Sequence, residues 1–403
     1  MLVIMIIKRF IFSKLKDEIN EPEINILLGP RQVGKTTLLH ELEKYSKTKN
    51  IKTNFYDLEQ PQVLTQFNRS AAEIIQFLTQ SGQIIFIDEF HYLQNASKIF
   101  KAIFDAKKKI KIICSGSSSL EIHKHLKESL AGRRFLFQIY PLQMSEILQH
   151  HKKFTLSNYL QYGGLPGLTH TNDEQRKQLI LNEILGSYIL KDIKSLVKEE
   201  NIRAFNHLLY LLAENQGSTI SMTNISNKIN MSVKAIQRYL DILEATYVNY
   251  RIYSFSNNLG NELKKSCKTY LYDPGIRNAI LKDFSDVNSR TDKGAILESF
   301  VFLHLNQWLE PNMEIKFWRT KDGGEVDFIL LKNRKPIPIE VKSKLTQAEV
   351  PKGLKRFLNR YPNVKAAIVI NEKLSEKLTY RSCSIQFLTF EEFIKSKKLV
   401  TEI

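Results

Sequence analysis

The residues with the clearest chemical meaning form a glycine-rich loop near the start of the chain. Gly29, Gly34, Lys35 and Thr36 match the pattern G-x-x-x-x-G-K-[ST], between an apolar stretch and a helical pattern. Glycines let the loop turn its N–H groups toward phosphate oxygens, while the lysine supplies a cation and the threonine hydroxyl a ligand for Mg²⁺. The sequence therefore predicts a nucleoside-triphosphate site. Its predicted contacts are Gly29, Pro30, Arg31, Gln32, Val33, Gly34, Lys35, Thr36 and Thr37.

An acidic pair follows the apolar run that ends at Ile87. Asp88 is predicted to hold Mg²⁺ through water, and Glu89 to orient or deprotonate the water that attacks the γ-phosphate. The hydroxyl of Thr36 supplies a second group for the same Mg²⁺. Because Glu89 activates the attacking water, the acidic pair predicts hydrolysis of the nucleotide as well as its binding.

These residues need a scaffold that brings separate loops together, and the chain has the pattern of one. From Ile24 to about Leu142, short apolar strands alternate with helical stretches, which is typical of a parallel α/β sheet. Open parallel sheets bind their ligands at the carboxyl ends of the strands. The predicted strands are Ile24–Leu28, Thr53–Tyr56, Ile84–Ile87, Lys111–Cys114 and Phe135–Ile139.

Two further features of this region offer contacts to the transferred phosphate. Ser117, within the run Ser115–Ser118 after the fourth strand, either senses the γ-phosphate or helps to cap the next helix. Arg133 and Arg134 precede the last strand. Either one of these arginines stabilises the charge of the transition state, as a finger or sensor, or both are ordinary surface arginines.

The middle of the chain has a helical pattern, followed by a helix-turn-helix. Helices are predicted from Ser145 to about Glu200, with a rigid turn at Tyr162–Gly167. Residues 203–256 then follow the order helix, turn, helix and wing, with the third helix over Ser232–Ala245. Such a segment either reads DNA or serves only as a lid or interface. The residues predicted on the exposed face of the third helix are Lys234, Gln237 and Arg238.

A second set of ionisable side chains lies near the end of the chain. A two-residue turn at Asn333–Arg334 sets Asp327 opposite Glu340 and Glu325 opposite Lys342. Because side chains alternate along a strand, all four lie on one face of the predicted hairpin.

The carboxylates of this hairpin predict a metal site. Asp327 and Glu340 repel each other unless a cation lies between them, and Mg²⁺ prefers such oxygen ligands. Glu298, on the preceding helix, is predicted to complete the cluster. Lys342 then activates water or stabilises charge on a scissile phosphate, which is the D-x(n)-E-x-K arrangement of metal-dependent nucleases. The alternative is a solvated hairpin held by cross-strand ion pairs.

Composition sets limits on partners and compartment. The chain has 403 residues, 43% of them hydrophobic, and a formal net charge of +17. This charge favours DNA as a partner, although the lysine-rich coding of an A/T-rich genome produces the same excess. Cys114, Cys267 and Cys383 fit no metal or disulfide spacing, which predicts a reducing, cytoplasmic setting. No segment is apolar over a length that would predict a membrane span.

Taken together, the motifs resemble a prokaryotic group that joins an AAA+ or STAND-like P-loop ATPase module to a C-terminal domain of the restriction-endonuclease-like, PD-(D/E)xK, superfamily. The motifs are Gly29–Thr37, Phe86–Glu89, Ser115–Ser117, Tyr140–Leu142, Tyr162–Pro166, Leu271–Gly275, Gly294–Glu298, Glu325–Asp327 and Ile339–Lys342. The resemblance implies that the chain binds and hydrolyses ATP, with Mg²⁺. The residues that it assigns are Lys35, Thr36, Asp88 and Glu89 in the ATPase, and Glu298, Asp327, Glu340 and Lys342 in the nuclease pattern.

The expected fold is α/β: a P-loop NTPase parallel sheet, a helical and winged-helix segment, and an α/β restriction-endonuclease-like domain. The expected boundaries are 1–20 for a leading element, 21–144 for the ATPase core, 145–202 for a helical lid, 203–256 for the winged helix and 257–403 for the nuclease-like domain. The expected function is ATP hydrolysis coupled to action on DNA, with a candidate nuclease site. The alternative is an ATP-driven regulatory or defence switch whose last domain only binds DNA or a partner. An arginine finger predicts self-association, whereas a STAND-like ATPase stays monomeric.

Overall fold

The chain folds into two compact units, and each unit contains its own β-sheet built from strands rich in buried β-branched and aromatic residues. The computed structural model describes residues 6–117, 130–187, 202–256, 267–397 and 400. Unit 1 comprises Met1–Leu142, Leu165–His170 and Ile242–Val248, and unit 2 comprises Gln143–Gly164, Thr171–Asp241 and Asn249–Ile403.

The sheet of unit 1 has five parallel strands in the order β2–β3–β4–β1–β5. The strands are β1 (Ile24–Gly29), β2 (Thr53–Asp57), β3 (Ile84–Asp88), β4 (Lys111–Ser117) and β5 (Arg134–Gln138). The helices are α1 (Ile11–Asp17), α2 (Lys35–Thr48), α3 (Pro61–Leu64), α4 (Ala71–Ser81) and α5 (Ala96–Asp105). The predicted parallel sheet is confirmed. β4 continues beyond its predicted end because it pairs with β1 as far as Gly29 and Ser117.

Unit 2 contains the helical middle of the chain and a short antiparallel pair of strands. Its helices in this region are α6 (Met144–His150), α7 (Leu156–Tyr162), α8 (Glu174–Ile184), α9 (Ile202–Glu214), α10 (Met222–Ile229) and α11 (Val233–Ala245), the last of which ends in unit 1. A turn with Asn230 at positive φ joins α10 to α11, and Ser232 caps α11 by accepting from the N–H of Ala235 at 3.2 Å. β6 (Asn249–Ile252) and β7 (Lys268–Leu271) follow as an antiparallel pair. The helices and the turn lie where the sequence predicts them, but β6 pairs with β7, which lies beyond the segment 203–256 that was predicted to contain the wing.

A six-stranded mixed sheet, in the order β12–β13–β11–β10–β9–β8, forms the rest of unit 2. Its elements are α12 (Pro274–Leu281), α13 (Lys293–Trp308), β8 (Met313–Arg319), β9 (Glu325–Lys332), β10 (Lys335–Lys342), α14 (Lys352–Arg360), β11 (Ala366–Asn371), β12 (Glu376–Tyr380), β13 (Cys383–Thr389) and α15 (Phe390–Lys395). Asn333 and Arg334 have φ values of 49° and 65°, as a two-residue hairpin turn of type I′ requires. The strands pair in the predicted register from Lys332 and Lys335 as far as Phe328 and Ile339, and the predicted pairs Asp327–Glu340 and Glu325–Lys342 lie beyond the last of these residues.

Candidate functional site

The glycine-rich loop connects β1 to α2 and has the conformation that its glycines predict. Gly34 has a φ of +91° and is the N-terminal cap of α2, and Gln32 also has a positive φ of 61°. A Cβ atom on Gly29 would lie 2.2 Å from the carbonyl oxygen of Ile139, so only glycine fits where the loop leaves the sheet. The loop can therefore turn its N–H groups toward an anion at the positive end of α2.

Lys35 is held on this loop by two backbone oxygens. Its Nζ atom donates to the carbonyl of Gly29 at 3.0 Å and to that of Pro30 at 2.8 Å. Burial lowers the pKa of Lys35, and the carboxylates of Glu89 and Asp88 act against this by favouring the charged form. The loop thus carries a cation that is close enough to Asp88 and Glu89, at the end of β3, for their charges to act on it.

The carboxyl ends of β1, β3 and β4 meet at one edge of the sheet. Asp88 is the last residue of β3, is 3% exposed, and accepts a hydrogen bond from the hydroxyl of Ser115 on β4. Ser117 pairs with Gly29 through the strand register, while its side chain lies outside the described part of the structure. The sequence predicted a polar contact from the run Ser115–Ser118, with Ser117 as the candidate, whereas the contact with Asp88 comes from Ser115.

The structure does not bring the two candidate arginines to this edge within one chain. Arg133 forms an ion pair with Asp105, with Nε 2.6 Å from Oδ1. Arg134 pairs in register with Ile24, at the start of β1 and five residues before Gly29. At a rise of about 3.3 Å per residue, that start is roughly 16 Å from the loop. A role as a finger or sensor would require a second copy of the chain.

A cavity of about 540 Å³ lies beside the first turns of α2, within unit 1. Apolar side chains provide much of its wall, among them Ile6, Ile7, Leu38, Leu142 and Pro166. Arg9 also lines it and donates to the carbonyl oxygens of Val33, at 2.9 Å, and Tyr140, at 2.7 Å. Arg9 therefore joins the loop to the segment that follows β5, a role that no sequence motif indicated.

In the C-terminal hairpin, Asp327 and Glu340 lie close enough for their charges to interact. Lys342 contacts Glu340, whereas Glu325, its predicted cross-strand partner, contacts Lys268. Nζ of Lys342 lies 2.7 Å from Oε1 of Glu340, and Asp327 accepts a hydrogen bond from the N–H of Val341 at 2.8 Å. Oε2 of Glu340 is buried and has no hydrogen-bond partner among the described residues. Burial and the charge of Asp327 raise the pKa of Glu340 to about 8.

Glu298 has a different set of partners from the predicted one. Its Oε1 accepts from Nζ of Lys268 at 3.0 Å and from the hydroxyl of Tyr270 at 2.7 Å, both on β7. Lys268 also lies 2.8 Å from Oε1 of Glu325. Burial alone would lower the pKa of Lys268, but the surrounding carboxylates raise it above its ordinary value. Burial raises the pKa of Glu298 to about 7, against the opposing charge of Lys268.

The metal prediction is thus only partly matched by the geometry. Across the described ranges, no group of three or more His, Cys, Asp or Glu side chains is arranged to hold a metal ion. Glu298 is instead paired with an internal ammonium group. The unpartnered oxygen of Glu340 and the facing carboxylate of Asp327 are the features that fit a divalent cation.

Unit 1 combines a five-stranded parallel sheet with a glycine-rich loop of the P-loop NTPase pattern. Residues 21–148 match the family model described as "AAA domain". Residues 153–287 and 293–389 match two models described as "Domain of unknown function", DUF8612 and DUF4143 respectively. Among the helices that the structure describes, we find none with the length and apolar character needed to cross a bilayer.

Several relatives match along most of the chain. An uncharacterized protein of Haemophilus influenzae is 26% identical over 340 residues, which cover 79% of this chain and 82% of the relative. An uncharacterized protein of Methanocaldococcus jannaschii is 26% identical over 385 residues, with coverages of 89% and 84%. Among solved structures, AMPPCP-bound DnaA from Aquifex aeolicus aligns with a TM-score of 0.28 and 14% identity, over 58% of this chain and 86% of DnaA. A score this low assigns neither fold nor function.

Proposed function

We propose that unit 1 binds ATP with Mg²⁺ and hydrolyses it, and that this turnover switches binding of DNA or a partner protein by the winged-helix and C-terminal segments. The observation that carries the proposal is the position of Asp88 and Glu89 at the sheet edge where Gly29 leads into the loop of Lys35. Gly34, with its φ of +91°, lets the loop turn its N–H groups toward phosphate oxygens.

Each side chain at this edge has a proposed role. Lys35 binds the phosphates, Thr36 and Asp88 hold Mg²⁺, and Glu89 orients or deprotonates the attacking water. Mg²⁺ neutralises charge on the phosphates when it is bound. The apolar cavity beside α2 supplies a surface of suitable size for the nucleobase.

Nucleotide binding and phosphate release test the proposal in two variants. Lys35→Ala should lose binding of a fluorescent ATP analogue, because the phosphates lose their cation. Glu89→Gln should keep binding but lower phosphate release by about 10²-fold or more, because the amide cannot accept a proton. Lys47→Ala is the matched control, since Lys47 is an exposed lysine of the same helix. A wild type that releases no phosphate from ATP would overturn the proposal.

The ion pairs around the C-terminal hairpin favour a domain that binds a partner and does not cleave DNA. Glu340 is paired with Lys342, and Glu298 is paired with the buried Lys268. Lysine side chains therefore already balance the charges of two of the three C-terminal carboxylates that the sequence predicts as metal ligands. A domain of this kind can bind a partner in response to the nucleotide without a metal-dependent reaction.

A second candidate function, metal-dependent cleavage of DNA, rests on the orphaned Oε2 of Glu340 opposite Asp327. Asp327 and Glu340 would hold the cation, which supplies a Lewis acid when bound, and Lys342 would stabilise charge on the phosphate. Plasmid incubated with Mg²⁺ or Mn²⁺ tests this candidate. Cleavage that Asp327→Asn abolishes and the exposed-site control Asp322→Asn retains would support it, and intact plasmid with the wild type would reject it.

A further inference from the structure

We propose that His91 positions the carboxylate of Glu89 for ATP hydrolysis, an inference that rests on the hydrolysis proposed above. Nδ1 of His91 lies 3.1 Å from Oε2 of Glu89, and both side chains are largely buried. No motif in the sequence pointed to His91. Both residues lie beyond the end of β3 at Asp88, so the alternation of side chains along a strand does not predict their contact.

A tight turn creates the contact. Glu89 leaves β3 with a φ of +49°, in the left-handed region that few residues other than glycine adopt. A single turn of 3₁₀-helix over Phe90–Tyr92 follows directly, closed by a hydrogen bond of 3.1 Å from the N–H of Tyr92 to the carbonyl of Glu89. Phe90 anchors this turn in the core of unit 1. The backbone of His91 is therefore fixed next to Glu89.

The His91 ring also packs against the ring of Tyr92. Its centroid lies 4.4 Å from that of Tyr92, at an interplanar angle of 33°. This packing restricts the imidazole, so its contact with Glu89 in turn restricts the carboxylate. A carboxylate held in one orientation loses little entropy when the reacting groups align.

The charge of Glu89 acts on Lys35, so its carboxylate lies close to the predicted phosphate-binding loop. Among the groups that act against the lowering of the Lys35 pKa by burial, Glu89 has the strongest influence. Its carboxylate therefore interacts with the phosphate-binding lysine as well as with His91. Nδ1 of His91 and Oε2 of Glu89 lie 3.1 Å apart without the alignment of a hydrogen bond, and catalytic contacts of this kind commonly tighten in the reacting complex.

The proposed step consumes one water and one ATP. The water oxygen bonds to the γ-phosphorus while the bond from that phosphorus to the β–γ bridging oxygen breaks, giving ADP and inorganic phosphate. Glu89 accepts the proton that the water loses and later releases it to solvent. His91 does not touch the reacting atoms, because its role is to keep the Glu89 carboxylate oriented toward the water.

The position of Nδ1 on the ring allows a sharp test. In His91→Asn the side-chain NH₂ takes the place of Nδ1, whereas in His91→Gln it takes the place of Nε2. We expect kcat for ATP to fall on the order of 10- to 100-fold in His91→Ala and His91→Gln, with KM within about twofold of wild type. His91→Asn should recover most of kcat. His207→Ala, at an exposed histidine of α9, is the matched control.

Binding of a fluorescent ATP analogue distinguishes a positioning role from a folding defect, since each His91 variant should bind it as wild type does. His91→Ala with the wild-type kcat, or an equal loss of kcat in His91→Asn and His91→Gln, would overturn this inference and leave the proposed ATPase intact. A wild type without ATPase activity would overturn the proposed function itself and this inference with it.

Discussion

Ser115 donates a hydrogen bond to Oδ1 of Asp88, and both side chains are buried at the carboxyl edge of the parallel sheet. The backbone N–H of Glu89 donates to the same oxygen at 3.2 Å. Two donors, one from the neighbouring strand and one from the chain itself, therefore fix the carboxylate that we propose as the Mg²⁺ ligand. Its orientation depends on β4, although the residue itself belongs to β3.

Ser115→Ala should weaken the use of Mg²⁺ more than the binding of nucleotide. A hydrogen bond to a charged acceptor is worth about 1.5–3 kcal/mol, and the variant leaves the N–H of Glu89 as the remaining donor to Oδ1 of Asp88. We expect the Mg²⁺ concentration for half-maximal ATPase activity to rise about tenfold, which corresponds to about 1.4 kcal/mol. Mg²⁺ titrations of phosphate release measure this change.

The matched control for that prediction is Ser46→Ala. Ser46 is also a buried serine of unit 1, but its hydroxyl donates to the carbonyl of Leu42 inside α2. Its loss should lower stability slightly and leave the Mg²⁺ titration unchanged. Identical Mg²⁺ titrations for wild type and Ser115→Ala would contradict the proposed role of Ser115.

Lys268 is expected to be essential for the stability of unit 2. Its side chain is 1% exposed and contacts Glu298 and Glu325 at 3.0 and 2.8 Å. Removal of one partner from a buried ion pair leaves an uncompensated charge and costs about 3–5 kcal/mol. Lys268→Met should therefore lower the free energy of unfolding by about 3 kcal/mol. Urea titration followed by tryptophan fluorescence measures it, because Trp308 and Trp318 both lie in unit 2.

Two comparisons separate the buried charge from the loss of a side chain. Glu298→Gln added to Lys268→Met should restore part of the lost stability, because the unpaired carboxylate is then gone. Lys355→Met should change stability by less than about 0.5 kcal/mol, since its pair with Glu349 is exposed at 39% and 66%. Equal effects of Lys268→Met and Lys355→Met would contradict the assignment.

Features that depend on neighbouring residues could be predicted from the sequence. The register of the hairpin followed from the turn at Asn333–Arg334, because two loop residues determine which strand residues face each other. The loop before α2 followed from Gly34, which tolerates the positive φ that the helix cap needs. The parallel sheet followed in the same way from alternating apolar strands and helices.

Contacts between distant segments could not be predicted. Lys268 and Glu298 are separated by a helix and meet only because β7 and α13 pack together in unit 2. A lone lysine within a short strand carries no local signal of such a partner. Arg133 could not be assigned either, since its pairing with Asp105 depends on how α5 packs against the start of β5. In each case tertiary packing, rather than spacing in the sequence, determined the partner.

The segment 203–256, which we predict to be a winged helix, should bind DNA through α11 if the proposed switch acts on DNA. Lys234 and Arg238 are exposed on that helix, as predicted. Replacing both with alanine should weaken binding of a labelled duplex and lower the slope of log K against log salt by about 2, since each phosphate contact contributes about 0.9. Fluorescence anisotropy across a salt series measures both quantities.

Lys152→Ala combined with Lys153→Ala is the control for charge alone, because both lysines are exposed and lie outside α11. This pair should leave the salt slope nearly unchanged. If the two double variants weaken binding equally, the protein binds DNA through its overall positive charge, and α11 has no specific role.

A buried histidine links the stability of unit 2 to pH. His304 lies on α13 with Nδ1 2.9 Å from the carbonyl of Phe300, while Nε2 accepts from the N–H of Met144 at 3.3 Å. This arrangement requires the neutral ring, with its proton on Nδ1. Burial lowers the pKa of His304 from 6.5 to about 4, against the smaller effect of the Phe300 carbonyl.

The low pKa of His304 in the folded state predicts a loss of stability in mild acid. Because the unfolded chain takes up the proton first, the contribution of His304 is complete above pH 6.5 and declines to its minimum near pH 4. The difference between the ordinary pKa of 6.5 and the folded-state pKa of about 4 corresponds to about 3 kcal/mol of folding stability. His304→Phe removes the titration, so the stability advantage of wild type over this variant should shrink by about that amount between pH 7 and 4. Asp273, whose pKa burial raises to about 6, acts in the opposite direction but equally in both proteins. Urea titrations followed by tryptophan fluorescence at each pH measure the difference, and a difference that stays constant with pH would contradict a neutral His304.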